Sequence, residues 1–401
     1  MPAARTVVGL SLLHQVLASG LAASVPVIMP ELVDRAGLFE GLAGLYAMLM
    51  YVGAIVSAMA GEALFRRLGA ATTSALACLV AAVGLVVFLP LTGVTFVAAA
   101  VVIGLGYGPV SPASSHLMAG IVGRRDLNLV FSIRQAGAPL GVLVTGLALP
   151  AVVLWLGWRP ALLVFAASAS LLALATMRVA RRVDAGTRAP SGSRGLLGPL
   201  REVVSTPTLH GLAATAFLFS AMLATLNAFV PVAVSSLAGL DLAHAGACAA
   251  AAQGGAIAGR LLWGFVADRL LSPSATLATV GGLMAGATLA LASLDTTATF
   301  PTVVAVSVWL GATAGGWGGV VPAQAARLAS PGAVGRVASG MMVISFVGVM
   351  LGPPLVGGML AWTGSFPLAL TAVAAVGGLG GAIAWLMPGR SGAPPSSRGD
   401  G

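Results

Sequence analysis

Apolar residues run along this chain in long stretches that short polar gaps separate. Each stretch has about 20 residues or more, which is enough for an α-helix to cross the hydrocarbon core of a bilayer. Polar and apolar positions do not alternate within the stretches, so the pattern predicts helices and excludes a β-barrel. We predict about twelve spans, at residues 6–30, 41–63, 70–90, 95–118, 129–153, 160–178, 208–232, 243–266, 274–294, 301–325, 338–361 and 366–387.

The composition makes lipid the solvent for most of the surface. Hydrophobic residues make up 58% of the 401 residues and charged residues only 8%, whereas about a quarter of a soluble domain is charged. The 54 glycines favour helices that pack closely against one another within a membrane. We therefore predict an all-α membrane protein surrounded by the lipid bilayer.

The formal net charge of +9 comes from arginines, since every one of the 20 basic residues is an arginine. These arginines form no stripe with interleaved aromatic residues, so we expect no nucleic-acid partner. Gaps on one face of the bilayer hold only Arg35 and Arg159. Gaps on the other face, called here the arginine-rich face, hold Arg5, Arg66, Arg67, Arg124, Arg125, Arg178, Arg181, Arg182, Arg188, Arg194, Arg201, Arg269, Arg327, Arg336, Arg390 and Arg398. The positive-inside rule makes this face cytoplasmic, with both termini on it, in the cell inner membrane.

One long polar segment divides the chain into two halves of about six spans each. Residues 179–206 are rich in Arg, Gly, Ser and Pro and lack apolar periodicity, so we predict a flexible cytoplasmic linker there. The N-terminal bundle then covers residues 1–178 and the C-terminal bundle covers 207–387. The tail at 388–401 is predicted to be disordered.

The two halves repeat each other. Three short motifs recur in the same order, at offsets that grow slowly from 203 to 215 residues. Duplication of a six-helix unit is typical of secondary transporters. The paired motifs are Gly61–Arg66 with Gly264–Arg269, Gly106–Ala113 with Gly316–Ala323, and Gly137–Leu140 with Gly352–Leu355.

The loop after the eighth span carries Gly264, Asp268 and Arg269, and this G-x-x-A-D-R sequence resembles the cytoplasmic loop motif of the major facilitator superfamily. Gly61 and Arg66 are its counterparts in the first half. The resemblance covers residues 6–387 and implies two pseudo-symmetric six-helix bundles that rock about a central cavity. It also implies that the first, second, fourth and fifth spans and their repeats line this cavity.

Prolines near the middle of two spans extend the resemblance. Gly352, Pro353 and Pro354 in the eleventh span resemble the Gly-Pro helix-bending motif of the family, which is usually described in the fifth span of antiporters. Pro139 occupies the matching place in the fifth span of this chain and removes a backbone hydrogen bond there. The loop motif departs from the family in its first copy, where Phe65 replaces the aspartate. The resemblance implies that a latch on that side lacks its carboxylate.

Ionisable residues inside the membrane are costly, so each is a candidate for function. Arg134 and Arg260 lie deep in apolar runs, and no deep aspartate or glutamate faces them. A guanidinium group keeps its charge and grips carboxylates, so this balance favours an anionic substrate. The alternative is that these arginines reach the cytoplasm or bind backbone carbonyls. Neutral or aromatic candidates for the same site are Gln135, Tyr107, Trp317, Asn227 and Gln253.

Two residues are candidates for coupling transport to protons. His14 in the first span has a side chain that titrates near neutral pH, although a histidine packed against a backbone carbonyl is the alternative. Glu31 follows Pro30 at the outer end of the same span, where a solvated loop charge is the alternative.

The function predicted is secondary transport of a small, carboxylate-like organic anion with proton symport, by a monomer. The alternative is efflux of a lipophilic drug or metabolite in exchange for protons. We expect no enzyme, because the sequence has no metalloprotease, hydrolase or nucleotide-binding motif. No cofactor or metal is expected, since Cys78 and Cys248 lie in apolar runs as packing residues.

Overall fold

Helices make up nearly all of the described chain, as the apolar runs predict. The computed structural model describes residues 4–36, 42–119, 126–185, 195, 197–330 and 332–387. Side chains are described throughout these ranges except at residues 30, 31, 33–36, 42–44, 119, 242 and 243. The predicted tail at 388–401 therefore lies outside the described residues.

The first half of the chain contains α1 (Ala4–Ala36), α2 (Leu42–Leu68), α3 (Ala70–Phe88), α4 (Gly93–Tyr107), α5 (Val110–Ala119), α6 (Leu127–Gln135), α7 (Gly137–Leu156) and α8 (Trp158–Ala185). The short helix α9 (Gly198–Val204) follows. The second half contains α10 (Pro207–Ala238), α11 (Leu242–Arg269), α12 (Pro273–Ala292), α13 (Phe300–Ala314), α14 (Val320–Leu328), α15 (Val334–Thr363) and α16 (Phe366–Leu386). A short 3-10 helix at Gly316–Gly319 joins α13 to α14.

The predicted all-α membrane fold is confirmed. The described chain has 11 helical segments that are long and apolar enough to cross a membrane. The predicted eighth span, α11, is long enough at 28 residues but is less apolar, because it contains His244, Gln253 and Arg260. With α11, the helices correspond to the predicted twelve spans.

Three spans are broken near their middles, which lets their backbone line a cavity. The fourth span breaks between α4 and α5 at Gly108-Pro109, because proline cannot donate the next helical hydrogen bond. The tenth span breaks at the matching place in the repeat, at Gly315–Gly319. The fifth span breaks at Ala136, three residues before Pro139.

The eleventh span differs from these three. Helix α15 continues through Pro353 and Pro354 to Thr363 without a break in its helical assignment. Gly352 brings α15 close to α10, since a Cβ at this position would overlap the Ala221 carbonyl oxygen. The Gly-Pro motif therefore also serves close packing within the second bundle.

The region between the halves is more helical than its composition predicts. Helix α8 runs seven residues past the predicted boundary at 178, to Ala185. The carboxylate of Asp184 holds this end in place by accepting hydrogen bonds from Ala71 N (2.9 Å) and Thr72 N (2.8 Å), which are free donors at the start of α3. Helix α9 buries Pro199 and Val203 against α15. These tertiary contacts give structure to a segment that lacks apolar periodicity.

Candidate functional site

A cavity of about 470 Å³ lies between the two halves. The first half contributes residues of α1, α2, α4 and α7, and the second half contributes residues of α10, α11 and α13. These are the first, second, fourth, fifth, seventh, eighth and tenth spans. The resemblance implied all of these and the eleventh span, which contributes no described lining residue.

Among the described residues that line the cavity, Arg260 is the one with a positive charge, and 7% of its surface is exposed. Its Nε donates a hydrogen bond to the Gly315 carbonyl (2.7 Å). One terminal nitrogen donates to the Gln135 carbonyl of the opposite half. The other terminal nitrogen makes no hydrogen bond within the described chain, so part of the guanidinium is available to a ligand.

The cavity wall is mainly apolar and aromatic. All three tyrosines of the protein line it, at positions 46, 51 and 107. The Tyr107 ring lies 6.4 Å from Tyr51 and 5.8 Å from Phe346 of α15, measured between centroids. Asn227 and Gln253 add two neutral amides to the lining. Of the predicted site residues, the cavity thus gathers Arg260, Tyr107, Asn227, Gln253 and Pro139.

Arg134 lies outside this cavity lining and is fully buried. One terminal nitrogen donates to Gln15 Oε1 (3.2 Å) and to Ser111 Oγ (3.0 Å). Its Nε and other terminal nitrogen have no hydrogen-bond partner within the described chain. Arg134 is therefore a buried cation in the first half whose hydrogen-bonding capacity is only partly used. Burying such a charge in a low-dielectric setting costs free energy.

Gln135 and Trp317 also lie outside the lining. The Gln135 side chain donates to the Gly318 carbonyl across the two halves (3.0 Å). Trp317 is buried, with its ring 5.9 Å from Phe219 within the second bundle. Gln135 therefore joins the halves, and Trp317 packs the core.

The two candidates for proton coupling lie apart from the cavity lining. His14 is buried between α1 and α8, where its Nε2 is 2.9 Å from Thr176 Oγ1. Its backbone carbonyl accepts a weak hydrogen bond from the Cys78 thiol. Glu31 belongs to α1, but its side chain lies outside the described residues.

Asp268 joins the two halves at the arginine-rich face. Its carboxylate accepts hydrogen bonds from Asn128 N (3.2 Å), Asn128 Nδ2 (2.8 Å) and Leu129 N (2.7 Å), at the start of α6. Arg327 pairs with the same carboxylate at 3.2 Å. The side chain is 1% exposed, so this is a buried charge that satisfies free backbone donors of a helix in the other half.

Two other features seal the same interface. A Cβ on either Gly264 or Gly319 would overlap Ser132 of α6, so both positions depend on glycine for close approach. Nearer the surface, Arg269 pairs with Asp126 at 2.5 Å. Gly264, Asp268 and Arg269 thus all contact the first half.

The first-half copy of the motif closes with different residues. Phe65, at the place equivalent to Asp268, stacks on His116 with centroids 6.2 Å apart. The carboxylate instead comes from Glu62, one helical turn earlier, which pairs with Arg336 of α15 at 2.8 Å. Arg336 also contacts Glu202 of α9 at 3.2 Å. The ion pair that the sequence implied was missing is therefore displaced by three residues, and the linker helix takes part in it.

The other two motif residues are separated by the structure. Gly61 faces α15, where an added Cβ would lie 3.2 Å from Ser339 Oγ. Arg66 lines a separate pocket near the arginine-rich face. Together the contacts of both halves close the cavity toward the arginine-rich face.

A family model described as Major Facilitator Superfamily matches residues 11–353. The chain belongs to the major facilitator superfamily. Members of this superfamily are transporters, and this chain is a multi-pass membrane transporter. A comparison with curated proteins gives no match.

Solved structures of other superfamily transporters share the fold of this transporter. The human organic anion transporter MFSD10 is 15% identical with a TM-score of 0.78, covering 96% of this chain and 100% of that one. A bacterial homologue of the iron transporter ferroportin, in an outward-facing state, is 16% identical with a TM-score of 0.75, covering 94% and 98%. The E. coli fucose:proton symporter FucP is 13% identical with a TM-score of 0.73, covering 95% and 98%.

Sequence reasoning missed several residues of the site in this transporter. Asn128 and Ser132 follow Arg124-Arg125 in the sequence and belong to no motif. Asn128 nevertheless donates hydrogen bonds to Asp268, and Ser132 packs against Gly264. Tyr46 and Tyr51 are two of only three tyrosines, and this rarity is the signal that points to them.

Replacing the buried Arg134 with methionine tests its unpaired nitrogens. We expect Arg134→Met to lower the free energy of unfolding by no more than about 1 kcal/mol, or to raise it. The reason is that methionine removes a costly buried charge while keeping a side chain of similar volume. The lost bonds to Gln15 and Ser111 oppose this gain. Thermal unfolding of the purified variant measures it, with Phe131→Ala, a fully buried neighbour, as the destabilising reference. A loss as large as that of the reference contradicts the expectation.

Proposed function

We propose that this transporter carries a small organic anion across the membrane by alternating access through the central cavity. The observation that carries the proposal is the Arg260 guanidinium, which lines the cavity and keeps one terminal nitrogen without a partner in the described chain. The two oxygens of a carboxylate match the planar donor geometry of such a partly free guanidinium.

The charge of the cavity supports the proposal. Its described lining contains Arg260 and no aspartate or glutamate. An unbalanced positive charge in a low-dielectric cavity attracts an anion and repels a cation. The fold is compatible with such cargo, since one structural neighbour is named as an organic anion transporter.

The wall of the cavity refines the substrate class. Three tyrosines and the apolar side chains of Met50, Leu226 and Val230 surround the space next to Arg260. A volume of about 470 Å³ is within the range of small-molecule sites. We propose an amphipathic carboxylate, with its charged end at Arg260 and its carbon body against the tyrosines.

Coupling and location are further parts of the proposal. We propose proton symport in the cell inner membrane by a monomer, with the arginine-rich face in the cytoplasm. His14 is the proposed titrating group, because it links α1, which lines the cavity, to α8. Glu31 is kept as a second candidate at the outer end of α1.

Efflux of a lipophilic drug or metabolite is the second candidate function. The apolar and aromatic lining favours it, since such walls bind lipophilic compounds of many shapes. A lipophilic cation lacks a counter-charge among the described lining residues, so the anion remains the proposed cargo.

A ligand screen on the purified full-length protein tests the proposal. We expect aromatic and aliphatic carboxylates to raise the unfolding temperature. A ligand at 100 times its dissociation constant adds about 2.7 kcal/mol to the free energy of unfolding. Uptake into proteoliposomes with and without an imposed pH gradient then tests proton coupling. Stabilisation by lipophilic cations alone overturns the anion proposal and supports efflux.

A further inference from the structure

A second pocket, of about 350 Å³, opens at the arginine-rich end of the first bundle. It is separate from the central cavity and lies where α2, α3, α5 and α8 end or begin. Three arginines line it, and we call it the arginine pocket. Among its lining residues are Phe65, Arg66, Arg67, His116, Arg181 and Asp184.

The charge of the arginine pocket is strongly unbalanced. Asp184 is its one acidic lining residue, and both carboxylate oxygens already accept backbone hydrogen bonds from Ala71 and Thr72. Within the described chain, Arg66, Arg67 and Arg181 make no ion pair. The Nε of Arg66 is buried and has no hydrogen-bond partner among the described residues. A buried, unpaired guanidinium nitrogen is costly unless a ligand satisfies it.

The backbone shapes this pocket closely around its charges. Gly69 has φ +89°, a left-handed conformation that other residues rarely adopt. A Cβ at Gly69 would also overlap the Asp184 carboxylate. The turn between α2 and α3 therefore brings the arginines of α2 beside Arg181 of α8 and keeps Asp184 turned toward α3.

We propose that the arginine pocket binds a phosphate group. Three guanidinium groups offer paired donors that match phosphate oxygens, and their summed charge exceeds that of Asp184 by two. The position at the helix ends is within reach of two sources, the head group of an anionic lipid and a free phosphate ester. This inference does not depend on the cargo proposed for the central cavity.

The arginine pocket adjoins the first-half contact between the bundles. Phe65 and His116 line the pocket and also lie against Gly335 of α15, where an added Cβ would be 3.2 Å from His116 Nδ1. A phosphate bound there supports the side of the interface that holds the Phe65–His116 stack and the Glu62–Arg336 ion pair. Binding is thus expected to favour the state in which the arginine-rich side is closed.

The test uses delipidated full-length protein in detergent, with two kinds of probe. Native mass spectrometry measures adducts with phosphatidylglycerol, and thermal unfolding measures the response to inorganic phosphate and glycerol phosphate. The double variant Arg66→Gln/Arg181→Gln is expected to lose binding about tenfold or more, because it removes two guanidinium groups whose hydrogen bonds to a phosphate carry charge. The control is Arg178→Gln/Arg182→Gln, which removes the same charge from exposed sites on α8 outside the pocket.

The outcomes distinguish the two phosphate sources from each other and from the absence of a phosphate site. Lipid adducts lost only in the pocket variant assign a lipid head group, and a soluble-phosphate response lost only there assigns a free phosphate ester. Equal responses of wild type, pocket variant and control, or no response to either probe, overturn the proposal. Arg181→Gln alone, at an exposed position, repeats the comparison without disturbing Arg66 should the double variant unfold.

Discussion

Asp268→Asn is expected to open the transporter toward the arginine-rich face. The native carboxylate accepts three hydrogen bonds from Asn128 and Leu129 and pairs with Arg327. An asparagine amide turns an N–H toward one of these donors and removes the negative charge that pairs with Arg327. Removing one member of a buried charge pair typically costs about 3 to 5 kcal/mol. Since one side-chain oxygen remains, we expect the closed state to lose about 2 kcal/mol, roughly a 30-fold change in population.

Distances between spin labels measure this shift. Arg182 on α8 and Leu270 after α11 are exposed at the arginine-rich end of opposite halves, and both native cysteines are buried. A pair of labels at these positions should show a longer distance in Asp268→Asn than in the parent. An unchanged distance distribution would mean that the Asp268 contacts do not hold this side closed.

Glu62→Gln is the matched control on the other side of the pseudo-symmetry axis. It removes a carboxylate from the equivalent contact, but Arg336 keeps Glu202 as a partner at 3.2 Å. Arg336, Glu62 and Glu202 are each 13 to 17% exposed, so solvent also screens their charges. We therefore expect a smaller shift than that of Asp268→Asn. Equal shifts would show that the two copies of the motif act alike despite Phe65.

The spans and the repeat follow from sequence because each rests on local chemistry. A run of about 20 apolar residues needs a helix in lipid, whatever its neighbours. The glycines around Tyr107 and Trp317 recur at matching places of the repeat, and the structure shows that both spans break there. Helix α11 was predicted as a span because apolar residues still dominate it, although Arg260 and Gln253 lower its hydropathy.

The contacts between halves do not follow from sequence because they depend on helix phase and on partners far along the chain. Depth alone placed Arg134 and Arg260 together, yet they face different surroundings and only Arg260 reaches the cavity. The sequence predicts a first-half latch without its carboxylate, because Phe65 replaces the aspartate, but Glu62, one helical turn earlier, pairs with Arg336 instead. In the linker, Asp184 and α9 gain structure from α3 and α15, which composition does not reveal.

Arg260→Gln is expected to abolish binding of the proposed anionic cargo at working concentrations. The substitution removes the positive charge from the described cavity lining while keeping an amide near the Gly315 carbonyl. Truncating one partner of a buried charged hydrogen bond costs about 2 to 5 kcal/mol. We expect about 3 kcal/mol, roughly a 100-fold rise in the dissociation constant of a stabilising carboxylate. Calorimetric titration of the purified variant measures this rise.

Arg260→Lys separates the charge of this residue from its link across the halves. Lysine keeps the charge but lacks the planar fork that reaches both Gly315 and Gln135. If the charge attracts the cargo, Arg260→Lys binds the carboxylate more tightly than Arg260→Gln. If Arg260 serves only to join the halves, both variants lose binding equally, and the spin-label distance between Arg182 and Leu270 lengthens in both. Asn227→Ala, which removes a neutral lining amide, should weaken binding by less than tenfold, because it leaves the charge in place.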